Sequence, residues 1–170
     1  PLSCTNESFL KLWNDEVQGD PLAHQLLREA RNLANTNPRA ALLVAHTALE
    51  VGLKQHIANH APDTEWLLKE IQSPPVRKLV TGLLPEIHSG SAVLRHIDTA
   101  KTKLSLSKQL DDFSRDRNDL AHQGEFDAET LWKYLSLTGN LLYLLDVLDG
   151  RLWAKRCLTK PFAEAFGLNA

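Results

Sequence analysis

Apolar residues along this chain recur at intervals of three and four, with no run of strict alternation. That spacing predicts helices throughout and no sheet. Residues 6–17 read as a short amphipathic helix with Phe9, Leu10, Trp13 and Val17 inward. Asp20 as N-cap and Pro21 at the first turn open a second helix over 22–34. Asn37 and Pro38 repeat the signal before a long helix over 39–58, whose positions 40–45 are almost all Ala, Leu or Val. Such a segment is covered on most sides. Asp63 caps a short helix over 64–72, and Ser73-Pro74-Pro75 precedes another over 76–84. Residues 85–91 are expected to be irregular, with a bend at Gly90. Two further helices are expected over 91–100 and 105–121.

Asp127 caps the last long helix, over 128–155. Its stripe Leu131, Leu135, Thr138, Leu142, Leu145, Leu148 and Leu152 is widened by Tyr134, Leu137, Leu141, Leu144 and Val147. That is more apolar surface than one core contact needs, and it predicts a partner, most simply a second copy. Ser136, Thr138, Gly139, Asn140 and Asp146 interrupt it, so it is not a membrane span. The tail after Thr159 carries Phe162 and Phe166, which suit either docking on the surface or a lead into a further domain. At 170 residues the chain reads as one domain, with its core over about 20–155, a possible insertion over 60–90 and a tail over 159–170.

One stretch hints at chemistry: Arg117-Asn118-Asp119-Leu120-Ala121-His122, just before Gly124. Leu106, Leu110, Phe113, Arg117 and Leu120 fall on one helical stripe, so a permanent cation stands on an apolar face. It demands a carboxylate, backbone carbonyls or a bound anion. His122 lies about 140° further round an ideal helix. The two side chains converge only where the helix ends or bends, and Gly124 supplies a stop. Asn118, four before His122, is placed to orient its ring. Arginine and histidine without a metal suit phosphate chemistry, the fork holding phosphoryl oxygens and the imidazole moving a proton. The plainer readings are a buried ion pair for Arg117 and a helix cap for His122.

R-N-x-x-A-H resembles the R-x(4–6)-H motif of the HEPN superfamily (higher eukaryotes and prokaryotes nucleotide-binding), in which Asn often follows the Arg. The Ala-rich run from Pro38 through Glu50 to Leu53-Lys54 is similar to the long early helix of that fold. The similarity covers about residues 20–153. It implies an all-α, up-and-down helical bundle with extra short helices here, paired as a two-fold dimer. It also implies a metal-independent endoribonuclease: Arg117 holds the phosphate, His122 is the acid–base group, and a ribose 2′-hydroxyl attacks to leave a cyclic phosphate. RNA or nucleotide is then the ligand, a cognate or inhibitory protein a possible partner, and a defence or toxin-like system the setting. Other members are non-catalytic modules binding nucleotide, RNA or protein. A subset carries Tyr two residues after the His, a target of nucleotidylylation. Gly124 stands there in this chain.

Around the motif, Arg115 with Lys101, Lys103 and Lys108 is either a local positive field or a solvated face broken by Asp111, Asp112 and Asp116. His46, Glu50 and Lys54 form an i, i+4 ladder: either an ion ladder, or Glu50 facing Arg117 and fixing its fork. His56 and His60 have zinc-like spacing, but H-I-A-N-H lacks a metalloprotease Glu and no third ligand is near in sequence, so neither metal nor cofactor is expected. The formal net charge of −2 argues against a broad nucleic-acid coat while allowing a small positive cleft. Cys4 and Cys157 show no ligand spacing and read as free thiols, which with a polar N-terminus predicts a cytoplasmic protein.

Overall fold

The computed structural model describes residues 20–70, 75–96, 105–124 and 126–168. Among them the chain is all-α, without a strand. Helices α1 (Leu22–Leu33) and α2 (Pro38–His60) form a hairpin, with a 3₁₀ turn (Pro62–Thr64) and α3 (Glu65–Glu70) behind it. Next come α4 (Val76–Lys78), a π turn (Leu79–Leu83) and α5 (Leu84–Ile87), which run on as one rod. Helix α6 (Leu106–Gln123), α7 (Leu131–Leu148), a 3₁₀ segment (Leu152–Cys157) and α8 (Lys160–Ala165) complete the bundle.

The start of α2 follows its sequence signal: Asn37 Oδ1 accepts from Ala40 N at 3.1 Å and Pro38 fills the first turn. At α1 the signal is displaced by one residue. Pro21 takes the N-cap position, while Asp20 pairs with Arg28 and its carbonyl accepts from Gln25 Nε2. The expected irregular stretch over 85–91 begins later than the sequence suggested, because helix continues to Ile87. Pro85 has no N–H for the carbonyl four residues back and its ring crowds that turn. A π turn stands immediately before it, a local widening of the kind found where the helical ladder is disturbed.

Helix α2 is the axis. Leu42, Leu49, Leu53 and Ile57 are wholly buried, each contributing about 1.5–3 kcal/mol of transfer free energy. It packs on α1, α6 and α7. Gly52 permits the closest approach, since a Cβ there would overlap Leu142 Cδ2 and press on Ala23.

The wide apolar girth of α7 is covered inside the chain. Leu131, Leu135, Thr138, Leu142 and Leu145 are buried, and so are Tyr134, Leu137, Leu141, Leu144 and Val147. What covers the second face is the chain's own end. Helix α7 stops at Leu148, with Gly150 at φ 85° just beyond it. The chain then returns through the 3₁₀ segment to α8, burying Ala154, Leu158, Phe162 and Phe166. Asn140 holds this return in place: its Oδ1 accepts from Thr159 N at 2.8 Å and its Nδ2 donates to Thr159 Oγ1 at 3.1 Å. The apolar width of α7 therefore does not by itself call for a partner, although Leu148 is half-buried and Leu152, beyond the helix end, is exposed; Phe162 and Phe166 of the tail are buried. Residues 6–17, Lys101 and Lys103, and Cys4 lie outside the described residues. No helix among those described is long and apolar enough to cross a membrane.

Candidate functional site

Helix α6 carries the Arg–His motif. Leu106, Leu110, Phe113 and Leu120 are buried on its inner stripe, and Arg117 on the same stripe is half-buried. The helix runs unbroken through both Arg117 and His122 and ends at Gly124, whose φ of 72° closes it in the left-handed conformation. Gly124 does supply the stop, but the helix continues two residues past the expected end at 121. The stop comes after His122, so no bend swings the imidazole toward the guanidinium. His122 is exposed in the last turn.

Asn118, expected beside His122, instead accepts from Arg117 Nη1 at 2.8 Å through its Oδ1. Among the described residues Arg117 forms no ion pair. Arg115 is engaged differently: its guanidinium is exposed, 2.8 Å from Asp112 and 3.7 Å from Asp116, and hydrogen bonding to Asp112 holds it in its charged form. Asp111 in turn pairs with Arg77 at 2.9 Å. Glu50 lies 3.3 Å from the Nδ1 of His46, so the carboxylate expected on Arg117 contacts an imidazole one turn away on its own helix.

Behind the motif is a polar and aromatic mount. Tyr134 on α7 donates to Asp116 Oδ2 at 2.5 Å, and its ring stacks on Phe113 with centroids 4.6 Å apart. His46 meets Phe113 edge-on at 5.0 Å and reaches Ser114 Oγ at 3.5 Å. Burial, then hydrogen bonding to Asp116, pushes the Tyr134 phenol well above its ordinary range. The turn bearing Asp116 and Arg117 is thus clamped from both α2 and α7.

A second constellation was not legible as such. His56 and His60 end α2, and the third ligand that the sequence did not offer nearby comes from the far end of α5. His88 Nε2 lies 2.8 Å from His56 Nε2. The three rings pack with centroids 4.5 Å, 5.0 Å and 4.7 Å apart. One nitrogen from each of the three falls within 4.8 Å of the others. Asp149, the C-cap of α7, sets its Oδ1 2.9 Å from His56 Nδ1 and 2.8 Å from His60 Nε2. The His56 contact is close enough to favour the carboxylate but is bent away from full hydrogen-bond alignment. Burial pushes Asp149 upward, yet the two imidazoles, by hydrogen bonding and charge together, outweigh it and hold the carboxyl below its usual value. Burial, then repulsion from His56 and His60, lowers His88 against the pull of Asp149. Beside the cluster opens a cleft of about 290 Å³, lined in part by His24, His56, Asp146, Asp149 and Arg151. The only sequence signal was the four-residue spacing of His56 and His60.

Comparison with protein-family models, with curated proteins and with solved structures finds no match.

Proposed function

We propose that this chain is a metal-independent endoribonuclease of HEPN type. Arg117 grips the scissile phosphate and His122 moves the proton as a ribose 2′-hydroxyl attacks, leaving a cyclic phosphate and a free 5′-hydroxyl. One observation carries the reading. Arg117 stands on a stripe of buried leucines with no carboxylate against it among the described residues, and its fork is held at one nitrogen by Asn118. Such a cation is set to receive a phosphate, and the remaining guanidinium donors suit two phosphoryl oxygens. His122 is exposed in the last turn of the same helix, and imidazole is the side chain most often used to move a proton.

On an unbroken helix the two groups leave about 140° apart. The nuclease reading therefore calls for two copies of α6 facing each other across a two-fold axis, each completing the other's centre. A cognate protein that restrains the activity, a defence or toxin-like setting and a cytoplasmic location belong to the same proposal. The test is digestion of RNA in EDTA. Arg117→Ala and His122→Ala should each slow cleavage by about 100-fold or more with the melting temperature held. Cleavage by both variants at the parent rate would sink the assignment.

The same unbroken helix favours a second reading, a non-catalytic HEPN module that binds nucleotide, RNA or protein. It predicts saturable RNA binding without product, weakened by Arg117→Ala and, in proportion to the lost phosphate contact, less dependent on salt.

A further inference from the structure

We propose that His56, His60 and His88 bind a zinc ion, with Asp149 as the carboxylate behind them. This stands apart from the Arg117 reading, which needs no metal and uses none of these residues.

The argument begins with the 2.8 Å approach of His56 Nε2 to His88 Nε2. Two imidazole nitrogens that face each other so closely repel unless something positive lies between them: a shared hydrogen or a cation. His56 Nδ1 lies 2.9 Å from Asp149 Oδ1, an acceptor, which favours the tautomer with the hydrogen on Nδ1 and a lone pair on Nε2. That pattern, carboxylate to one ring nitrogen and lone pair on the other, is the usual support of a metal-binding histidine. His56 is 3% exposed, so water does not reach Nε2, and the group that faces it is His88 Nε2.

The second part of the argument is convergence. The end of α2, the residue after α5 and the C-cap of α7 come together here, each bringing a nitrogen or oxygen donor and none an apolar side chain. An all-nitrogen trio with a carboxylate suits zinc and its first-row neighbours, and not calcium or magnesium. Zinc–nitrogen bonds of about 2.0–2.1 Å in tetrahedral array set the nitrogens about 3.3 Å apart. The nitrogens of this trio, all within 4.8 Å of one another, reach that spacing by side-chain rotation, the 2.8 Å pair opening slightly. His60 is exposed at the rim and the adjoining cleft gives a path in. Binding displaces the hydrogen shared by His56 and His88 to solvent. The ion then ties α2, α5 and the end of α7 to one point.

The experiment uses the untagged chain, stripped with EDTA and returned to metal-free buffer. Zinc is titrated in competition with a chromophoric chelator, and melting is followed with and without zinc. One equivalent per chain should bind, and a hundredfold excess over the dissociation constant should raise the melting temperature by about 5 °C. Cobalt at the same site should give the intense visible absorption of a tetrahedral ion. His88→Ala and His60→Ala, both at the rim, should weaken binding at least about 100-fold, and Asp149→Asn about tenfold. A chain with Cys4→Ser and Cys157→Ser should keep its full equivalent. Two outcomes overturn the site: zinc uptake by the parent no greater than by His88→Ala, or a full equivalent retained when both rim histidines are replaced. In either case the trio is a hydrogen-bonded histidine cluster held by Asp149.

Discussion

Asp116 touches two very different groups at once. Its Oδ2 accepts from the buried Tyr134 hydroxyl, and its Oδ1 sits 3.7 Å from the exposed Arg115. The first contact fixes the turn that bears Arg117, and the second contributes little, as exposed pairs usually do. Because the folded state raises the Tyr134 pKa, it holds the phenol proton where the unfolded chain would release it. The stability this gives is complete below the unfolded value, near pH 10, and declines as pH rises beyond it. Denaturant melts at stepped alkaline pH should show that decline in the parent and a flatter profile in Tyr134→Phe. Gly124 offers a second residue-scale check. Its φ of 72° disfavours any Cβ, so Gly124→Ala should cost about 1 kcal/mol in urea unfolding, and loosen the final turn that displays His122. These two positions differ in legibility. A glycine after a periodic run announces a helix end, whereas nothing in the neighbourhood of Asp116 names a tyrosine eighteen residues later.

At the scale of elements, some caps and the inner stripes were readable because they are local: Asn37 before Pro38 and leucines three and four apart, with Asp127 accepting from Glu129 N in the 3₁₀ turn that leads into α7 and Asp20 missing the N-cap by one residue. The π turn before Pro85 was not, since a proline announces an obstacle without saying whether the helix stops or swells around it. Nor was the unbroken run of α6 past His122, whose middle is held through Phe113, Ser114 and Asp116 by α2 and α7. The contact between α2 and α7 yields a direct test. Gly52→Val should destabilise by about 1–3 kcal/mol, read as a lower urea midpoint with unchanged slope, because the new methyls meet Leu142 and Ala23. If that midpoint stayed at the parent value, the tight crossing described for α2 and α7 would be mistaken.

For the whole molecule, periodicity counts how much apolar surface a helix carries and is silent on what covers it. That is why α7 pointed to a second copy when the covering is the chain's own last segment. The same limit hid the third histidine: His88 reaches His56 only through the path of α3, α4 and α5. On the proposed nuclease reading, a dimer would rest on α6 alone. Light scattering should find the mass of two chains under the conditions in which RNA is cut, and Arg117→Ala and His122→Ala mixed together should regain part of the lost activity if each copy supplies one group. A single-chain mass with full cleavage would remove the shared centre.

The loop-back of the C-terminal segment has a practical consequence for anyone expressing the protein. Stopping the gene after Arg151 would strip away Phe162, Phe166 and the Asn140–Thr159 clasp, leaving a greasy leucine ridge facing water. Such a product should collect in inclusion bodies, while adding the missing stretch back as a separate peptide should rescue it into the soluble fraction.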